Sequence, residues 1–171
     1  MDYKLLLLGL LHRQQMHGYQ LFEYIEGALA ACTDLKKPTA YYWLAKMATE
    51  GLVTEETYQD GNRPPRRVYR LTPAGEEAYR ALLRQNLARF LPAYFPGDAG
   101  LAFASSLPVE DVLDLLRQRR QALQAALQEA RSAPEHGGSL QWVIEHQVTH
   151  LSSELDWLDR LIDRLEHPVE S

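Results

Sequence analysis

Cysteine and long apolar runs are scarce in this 171-residue sequence, and both shortages limit what the protein can be. Cys32 is the only cysteine, so no intrachain disulfide can form, which is typical of a protein of the reducing cytoplasm. We expect Cys32 to be a buried small hydrophobic residue, with a redox sensor as the minor alternative. The leucine-rich stretch from Leu5 to Leu11 is far too short to span a bilayer. We therefore expect a cytoplasmic protein.

Sequence motifs of enzymes are also missing. No glycine-rich phosphate loop follows a strand pattern, no serine lies in a nucleophile elbow, and no cysteines cluster with the spacing of metal ligands. We therefore predict no catalytic site and no cofactor. His146, His150 and Glu154 recur every four residues and could share one helical face as ligands of a transition metal. Such pairs are common by chance on exposed helices, so metal sensing is kept only as an alternative.

Acidic residues outnumber basic ones, and the net charge is −5. The charge is unevenly distributed, since residues 1–90 carry 12 Lys and Arg against 10 Asp and Glu, whereas residues 91–171 carry 6 against 13. The first half therefore has a net charge of +2 and the second a net charge of −7. The first half can face nucleic acid, and the second can keep the molecule soluble.

The stretch from Lys36 to Arg70 predicts a helix followed by a β-hairpin. Pro38 suits a first helical turn, and Gly51 is placed to stop the helix. Apolar residues recur at helical spacing and predict the buried face: Ala40, Trp43, Leu44 and Met47. The other face carries hydroxyls and cations suited to phosphates and base edges in a DNA major groove. The predicted DNA contacts on this helix are Lys36, Lys37, Thr39, Tyr41, Tyr42 and Lys46.

After Gly51 the pattern alternates, which predicts strands over 52–59 and 66–72. Between them, residues 60–65 read as a polar turn. Arginines surround this hairpin, and we predict that Arg63, Arg66 and Arg67 form a wing that grips phosphates or a minor groove. The alternative is a solvated surface strand.

Other helices are predicted on both sides of this stretch. Upstream lie a leucine-rich helix over 3–15 and an amphipathic one from Tyr19 to about Gly27, which together give the layout of a helix-turn-helix unit. Downstream, Thr72 caps a fourth helix that begins with Pro73 and continues to about Leu91. We predict three regions: a DNA-binding domain over 1–91, a connecting segment over 92–107 with a short helix at 99–106, and a helical dimerisation domain over 108–171.

The last helix carries the most regular apolar pattern in the chain. Its members are spaced 4-3-4-3-4-3, as in a heptad seam, and such a seam needs a partner. We expect part of this surface to pack on a second subunit, because a homodimer would place two DNA-reading heads on successive turns of DNA. The alternative is packing only on the preceding helix of the same chain. The seam comprises Ile144, Val148, Leu151, Leu155, Leu158, Ile162 and Leu165.

Four aromatic residues of the second half suggest a ligand site. Trp142 and Trp157 flank the seam, while Phe95 and Phe103 lie in the connecting segment. Flat apolar side chains around a cleft can bind a small aromatic effector. The alternative is that the tryptophans are ordinary interface core.

The sequence resembles a known family over about residues 3–90. The similarity is carried by Gly18-Tyr19-Gln20-Leu21, by Thr39-x-Tyr41-x-x-Leu44-x-x-Met47-x-x-x-Gly51-Leu52-Val53, and by Arg66-Arg67-x-Tyr69-x-Leu71-Thr72-Pro73-x-Gly75. These motifs are similar to those of PadR-type bacterial transcription regulators, although Pro38 stands where that family often has glycine.

The resemblance implies a fold and a function. The fold is mainly α with a small β-hairpin: an N-terminal winged helix-turn-helix followed by a C-terminal antiparallel helical dimerisation domain. The implied function is a transcription regulator, most often a repressor, that dimerises through its C-terminal helices and can bind aromatic compounds. Two alternatives from other classes are a metal-responsive regulator and a helical scaffold for protein contacts.

Overall fold

A computed structural model describes residues 2–13, 16–27, 33, 35–59, 66–93 and 95–168, without the side chains of residues 16–19, 26, 58 and 66. The chain divides into two compact units, Met1–Pro92 and Ala93–Ser171. Cys32 lies outside the described residues. Within the described part of the chain, no helix has both the length and the apolar character needed to cross a bilayer.

In its described residues, the first unit contains four helices and a small antiparallel sheet. The helices are α1 (Tyr3–Arg13), α2 (Gly18–Glu26), α3 (Lys37–Thr49) and α4 (Pro73–Ala88). The strands are β1 (Met16–His17), β2 (Val53–Tyr58) and β3 (Arg66–Leu71), arranged in the order β1-β3-β2. The predicted helix-turn-helix and hairpin are therefore confirmed.

The strand β1 is the element that the sequence prediction missed. Met16 pairs with Tyr69 and His17 with Val68, where a break between two helices was expected. Two residues are too few to show an alternating pattern, so the strand is defined only by its partner β3. The predicted first helix ends at Arg13 rather than at residue 15.

One apolar core holds the first unit together. The leucines of α1 lie at its centre, which explains why this helix is apolar on more than one face. Burial of each such leucine contributes about 1.5–3 kcal/mol relative to exposure. The buried set is Leu7, Leu8, Leu10, Leu11, Leu21, Phe22, Ile25, Leu35, Ala40, Leu44, Met47, Val53 and Tyr69.

The start of α4 is fixed by its cap. The Thr72 hydroxyl accepts a hydrogen bond from the Gly75 N–H at 3.0 Å and donates to the Gly51 carbonyl at 2.7 Å. The cap therefore also anchors the turn that ends α3, where Gly51 has a φ of 72°. The predicted cap and the predicted helix stop are both confirmed.

The far end of α4 differs from the prediction. The helix was predicted to continue to about Leu91, but it ends at Ala88, and Leu87 and Phe90 are largely exposed. Only Ala78, Tyr79 and Leu82 pack against the core. The helix α4 packs on α1, which has 11 residues against the 16 residues of α4. At a rise of about 1.5 Å per residue, α4 is longer than α1, so its last turn extends beyond α1.

The second unit is a helical hairpin with a short helical segment. It comprises α5 (Asp98–Ala102), a 3-10 turn (Ala104–Ser106), α6 (Val109–Ser132) and α7 (Ser139–Glu166). Leu101 of α5 packs against the core of α6 and α7, so the segment predicted as a connection over 92–107 is partly integrated into this unit. The core consists of Leu116, Leu158 and Ile162, surrounded by Leu101, Val112, Leu113, Leu123, Leu161 and Leu165.

Three arginines of α6 fix its alignment with α7. Arg117 donates to Glu166 at 2.6 Å, while Arg119 donates to Glu154 and Arg120 to Asp159, each at 2.5 Å. Pairs at the solvent boundary contribute little stability singly, but three of them along two helices favour one register. The predicted fold class, mainly α with a small β-hairpin, is confirmed.

Candidate nucleic-acid interface and ligand cavity

The helix α3 has a buried face and a cationic face. Ala40, Leu44 and Met47 are completely buried, as predicted. On the other side Tyr42 is 62% exposed, and Lys46 is exposed one turn later. Exposed hydroxyl and ammonium groups on one helical face can contact both base edges and phosphates.

Aromatic rings hold two of the lysines close to the surface of the first unit. The Nζ atom of Lys46 lies 4.8 Å from the centre of the Trp43 ring, and that of Lys37 lies 5.6 Å from the Phe22 ring. Such cation–π contacts limit the freedom of a flexible side chain. Both ammonium groups are thereby held near the surface of α3, and Lys36 is also exposed there.

Two predicted DNA contacts of α3 are less available than expected. Tyr41 is half-buried, packs against the core, and has its ring centre 4.9 Å from that of Phe22. Thr39 is also half-buried. The prediction placed both on the solvent face from helical spacing alone, which does not show that Phe22 of α2 packs on Tyr41. The base-reading role of Thr39 and Tyr41 stays a prediction.

The hairpin places its arginines on two faces. Side chains alternate along β3, so Arg67 shares a face with buried Tyr69, while Arg70 lies on the opposite face. Arg67 pairs with Glu55 at 3.0 Å, and Arg70 pairs with Glu56 at 3.5 Å. These cross-strand ion pairs were not anticipated, although Glu55 and Glu56 in the first strand carried the signal.

Of the three predicted wing arginines, Arg67 is the one whose side chain the structure describes. Arg63 lies outside the described residues, and only the backbone of Arg66 is described, in β3. Arg67 is described completely. Its hydrogen bond to Tyr69 and then its pairing with Glu55 raise the pKa of the guanidinium, and burial raises the pKa of the Tyr69 hydroxyl. Both groups therefore keep their protons at neutral pH.

The heptad seam of α7 is divided between buried and accessible positions. Leu158 is completely buried and Ile162 almost so, in contact with Leu116 of α6. These two positions belong to the core of their own chain, and the assignment of the seam to a subunit interface stays a prediction. The other seam residues are half-buried: Ile144, Val148, Leu151, Leu155 and Leu165.

A cavity of about 440 Å³ lies between the segment before α5 and the helices α6 and α7. We call it the aromatic cavity. The Phe95 ring stacks on His150 with 5.6 Å between ring centres, and Arg119 is held by Glu154. The lining residues are Phe95, Asp98, Arg119, His150, Ser153, Glu154 and Trp157. This arrangement offers apolar surfaces for a planar ring and polar groups for its substituents.

The aromatic cavity contains two of the four predicted effector residues. Phe95 and Trp157 line it, whereas Phe103 and Trp142 do not and are largely exposed. The sequence prediction missed His150 as a lining residue. His150, Glu154 and Trp157 are spaced by four and three residues, so helical periodicity could have placed them together.

The histidines give no support to the metal alternative. Among the described residues, no three His, Cys, Asp or Glu side chains are grouped so that they could hold a metal ion. His150 lies 3.9 Å from Glu154, but that carboxylate already pairs with Arg119, and the His150 ring stacks on Phe95.

Comparison with known proteins agrees with this architecture. The model of the Transcriptional regulator PadR-like family matches residues 7–81. The Negative transcriptional regulator PadR of Bacillus subtilis (strain 168) is 28% identical over 134 residues, which cover 77% of this chain and 72% of that protein.

Solved structures share the fold over nearly the whole chain. The crystal structure of Bacillus subtilis PadR in complex with operator DNA has a TM-score of 0.82 at 21% identity and covers 95% of this chain and 98% of that one. The structure of the same protein in complex with p-coumaric acid has a TM-score of 0.75 at 20% identity, with 96% and 95% covered.

The first unit has the fold of a winged helix-turn-helix domain. Residues 7–81 match the PadR-like family model, and the chain is similar to PadR-type transcription regulators. The resemblance to PadR-type transcription regulators that the sequence indicated is confirmed by these comparisons.

Proposed function

We propose that the protein is a repressor that binds a two-half-site operator as a homodimer and is released by a small aromatic effector. The cationic face of α3 carries this proposal. Tyr42 and Lys46 are exposed directly opposite the completely buried Ala40, Leu44 and Met47, so the helix is fixed with this face outward. A helix about 10–12 Å wide with such a face fits a DNA major groove.

The proposed DNA contacts fall into two groups. Lys36, Lys37 and Lys46 neutralise phosphates near α3, and Tyr42 reaches the bases. The wing adds Arg67 from the face that adjoins the core of the first unit, together with Arg63 and Arg66 as predicted from sequence. The operator complex of Bacillus subtilis PadR supports this assignment by its fold.

Dimerisation is proposed through the second unit. One winged helix covers one half-site, so an operator with two half-sites needs two heads related by two-fold symmetry. The seam residues that remain half-buried in the single chain are Ile144, Val148, Leu151, Leu155 and Leu165. Beside them Trp142 is largely exposed, as is Leu115 of α6, and apolar surface of this kind is typical of a subunit interface.

The aromatic cavity is proposed as the effector site. Trp157 and the stacked Phe95–His150 pair can sandwich a planar ring, and the Arg119 guanidinium can receive an acidic substituent in exchange for Glu154. The p-coumaric acid complex of Bacillus subtilis PadR supports a ligand of this chemistry. To lower DNA occupancy tenfold, such a ligand must favour the non-binding dimer by about 1.4 kcal/mol.

The experiment is a fluorescence-anisotropy titration with a duplex from the region upstream of the protein's own gene and a shuffled duplex of the same composition. We expect affinity in the range of about 10⁻⁸–10⁻¹¹ M for the first at physiological salt and several orders of magnitude weaker for the second. Addition of p-coumarate should weaken only the specific complex. Equal affinity for the two duplexes would overturn the assignment as a sequence-specific repressor.

Two variants extend this titration to named residues. Lys46→Ala and Arg67→Ala should each reduce the slope of log affinity against log salt by about 1, because each removes one phosphate contact. Arg131→Ala is the matched control, since Arg131 is an exposed arginine of the second unit. Unchanged slopes in both test variants would remove α3 and the wing as the DNA-binding surface.

A further inference from the structure

Binding of phosphates by Arg67 does not by itself explain why Glu55 pairs with this arginine. The Arg67 side chain is 61% exposed, whereas that of Glu55 is only 26% exposed. A glutamate beside a DNA-binding helix repels the phosphate backbone, so its presence costs affinity. The role of the Glu55 carboxylate must therefore lie in its effect on Arg67.

The strand register shows how Arg67 is held. Arg67 is opposite Thr57, and Glu55 is opposite Tyr69, so Glu55 and Arg67 are diagonal neighbours on one face of the hairpin. The Glu55 carboxylate on β2, 3.0 Å from the Arg67 guanidinium, thus restricts it on the hairpin face that also carries the buried Tyr69.

This face of the hairpin is the one that adjoins α3. Val53 and Tyr69, which lie on it, belong to the same buried core as Leu44 and Met47 of α3. Arg67 therefore lies on the hairpin face that adjoins α3.

The opposite face carries a second pair of the same chemistry. Glu56 and Arg70 pair at 3.5 Å, and both are exposed. Alternation along the strands turns this pair away from the core face. Glu55 and Glu56 thus carry the same charge and lie on the same strand, but their side chains lie on opposite faces of the hairpin.

We propose that Glu55 is a positioning residue for DNA discrimination: it holds Arg67 in the orientation that the operator requires and prevents it from gripping any phosphate within reach. This inference rests on the proposed function. An exposed ion pair is weak enough for DNA to replace, so the operator can still recruit Arg67. Random DNA must displace the carboxylate without the base contacts that α3 makes with the operator, and it therefore gains less.

The test compares Glu55→Gln with Glu56→Gln on the upstream duplex and the shuffled duplex over a range of salt. Each variant removes one negative charge from the same strand. For Glu55→Gln we expect the salt slope on shuffled DNA to rise by about 1, and the ratio of specific to random affinity to fall about tenfold. For Glu56→Gln we expect affinity to rise by the same factor on both duplexes, so the ratio stays unchanged.

A double-mutant cycle separates positioning from a general effect on the fold. In an Arg67→Gln background, Glu55→Gln should leave the discrimination ratio unchanged, because the group that it positions is gone. Thermal unfolding followed by circular dichroism shows that each variant is folded.

The outcomes separate the two levels of the proposal. A wild-type protein that discriminates between the duplexes, with an unchanged ratio in Glu55→Gln, overturns the role of Glu55 and leaves the repressor assignment standing. An equal fall in Glu56→Gln, or a fall that persists without Arg67, also overturns it. A wild-type protein with no preference for the upstream duplex overturns both.

Discussion

A Cβ atom on Gly75 would lie 2.0 Å from the carbonyl oxygen of Leu52. This close approach joins the first turn of α4 to the start of the wing. The Thr72 hydroxyl accepts a hydrogen bond from the Gly75 N–H and donates one to the Gly51 carbonyl, which anchors the same turn. The loop before the wing and the helix after it are therefore packed backbone against backbone. Only glycine allows this contact.

The first prediction concerns this contact. Gly75→Ala should lower the free energy of unfolding by at least about 1–3 kcal/mol, because the new methyl group must displace backbone atoms. Urea denaturation measures the change. Gly137→Ala is the control, since a Cβ there meets nothing within 4 Å. Equal stability of the two variants would show that the turn is not packed as described.

Much of this unit could be predicted from sequence because its signals are local. The cap at Thr72, the proline after it, the stop at Gly51 and the period of Ala40 and Leu44 each depend on neighbouring residues. The strand β1 could not be predicted, because its two residues are defined by their pairing with Tyr69 and Val68. The exposure of Phe90 likewise depends on the length of a different helix, α1.

The site was less predictable than the fold. Residue type alone suggested DNA contacts at Thr39 and Tyr41, but neighbouring aromatic packing decides how far each is exposed. The pairing of Arg67 with Glu55 depends on strand register, and the joining of Phe95 with His150 depends on the fold of the second unit. A list of cations and aromatic residues does not contain this information.

The second prediction concerns acid stability. His12 Nδ1 lies 2.8 Å from a Glu76 carboxylate oxygen, and this hydrogen bond, followed by the charge of His12 and Arg80, lowers the pKa of Glu76 below its ordinary value of 4.5. The ionised carboxylate therefore stabilises the fold above about pH 4.5, and the contribution is lost as the pH falls through the lowered pKa.

Glu76→Gln should accordingly reduce the urea midpoint at pH 7 and have a smaller effect at pH 3, where the wild-type carboxylate is protonated. Glu77→Gln is the neighbouring control on the exposed side of α4. A Glu76→Gln effect of the same size at both pH values would contradict a role for the ionised group.

The third prediction separates the subunit interface from the core of α7. Leu158→Ala should lower the free energy of unfolding by about 2–5 kcal/mol, because Leu158 is completely buried within its chain. Leu155→Asp should instead yield helical monomers, since a carboxylate buried at a subunit interface without a partner costs several kcal/mol. Sedimentation velocity and circular dichroism distinguish these effects. A wild-type monomer at micromolar concentration is the result that excludes the dimer.

The fourth prediction concerns the aromatic cavity. Trp157 lines it and Trp142 does not, so p-coumarate should quench tryptophan fluorescence in wild-type protein and in Trp142→Leu but not in Trp157→Leu. Reciprocal linkage requires the specific DNA duplex to weaken ligand binding by the factor with which the ligand weakens DNA binding. Ligand affinity that is indifferent to DNA would leave Trp157 as ordinary helix surface.

The central claim is that the exposed face of α3 lies against DNA, and site-specific photocrosslinking tests it most directly. A benzophenone amino acid is placed at Tyr42, which is 62% exposed, or at Trp142, which is 70% exposed, so accessibility alone cannot separate the two positions. With the specific duplex bound, we predict crosslinks to DNA from position 42 and none from position 142. DNA binding that persists without crosslinks at position 42, or equal crosslinking from both positions, would contradict the account.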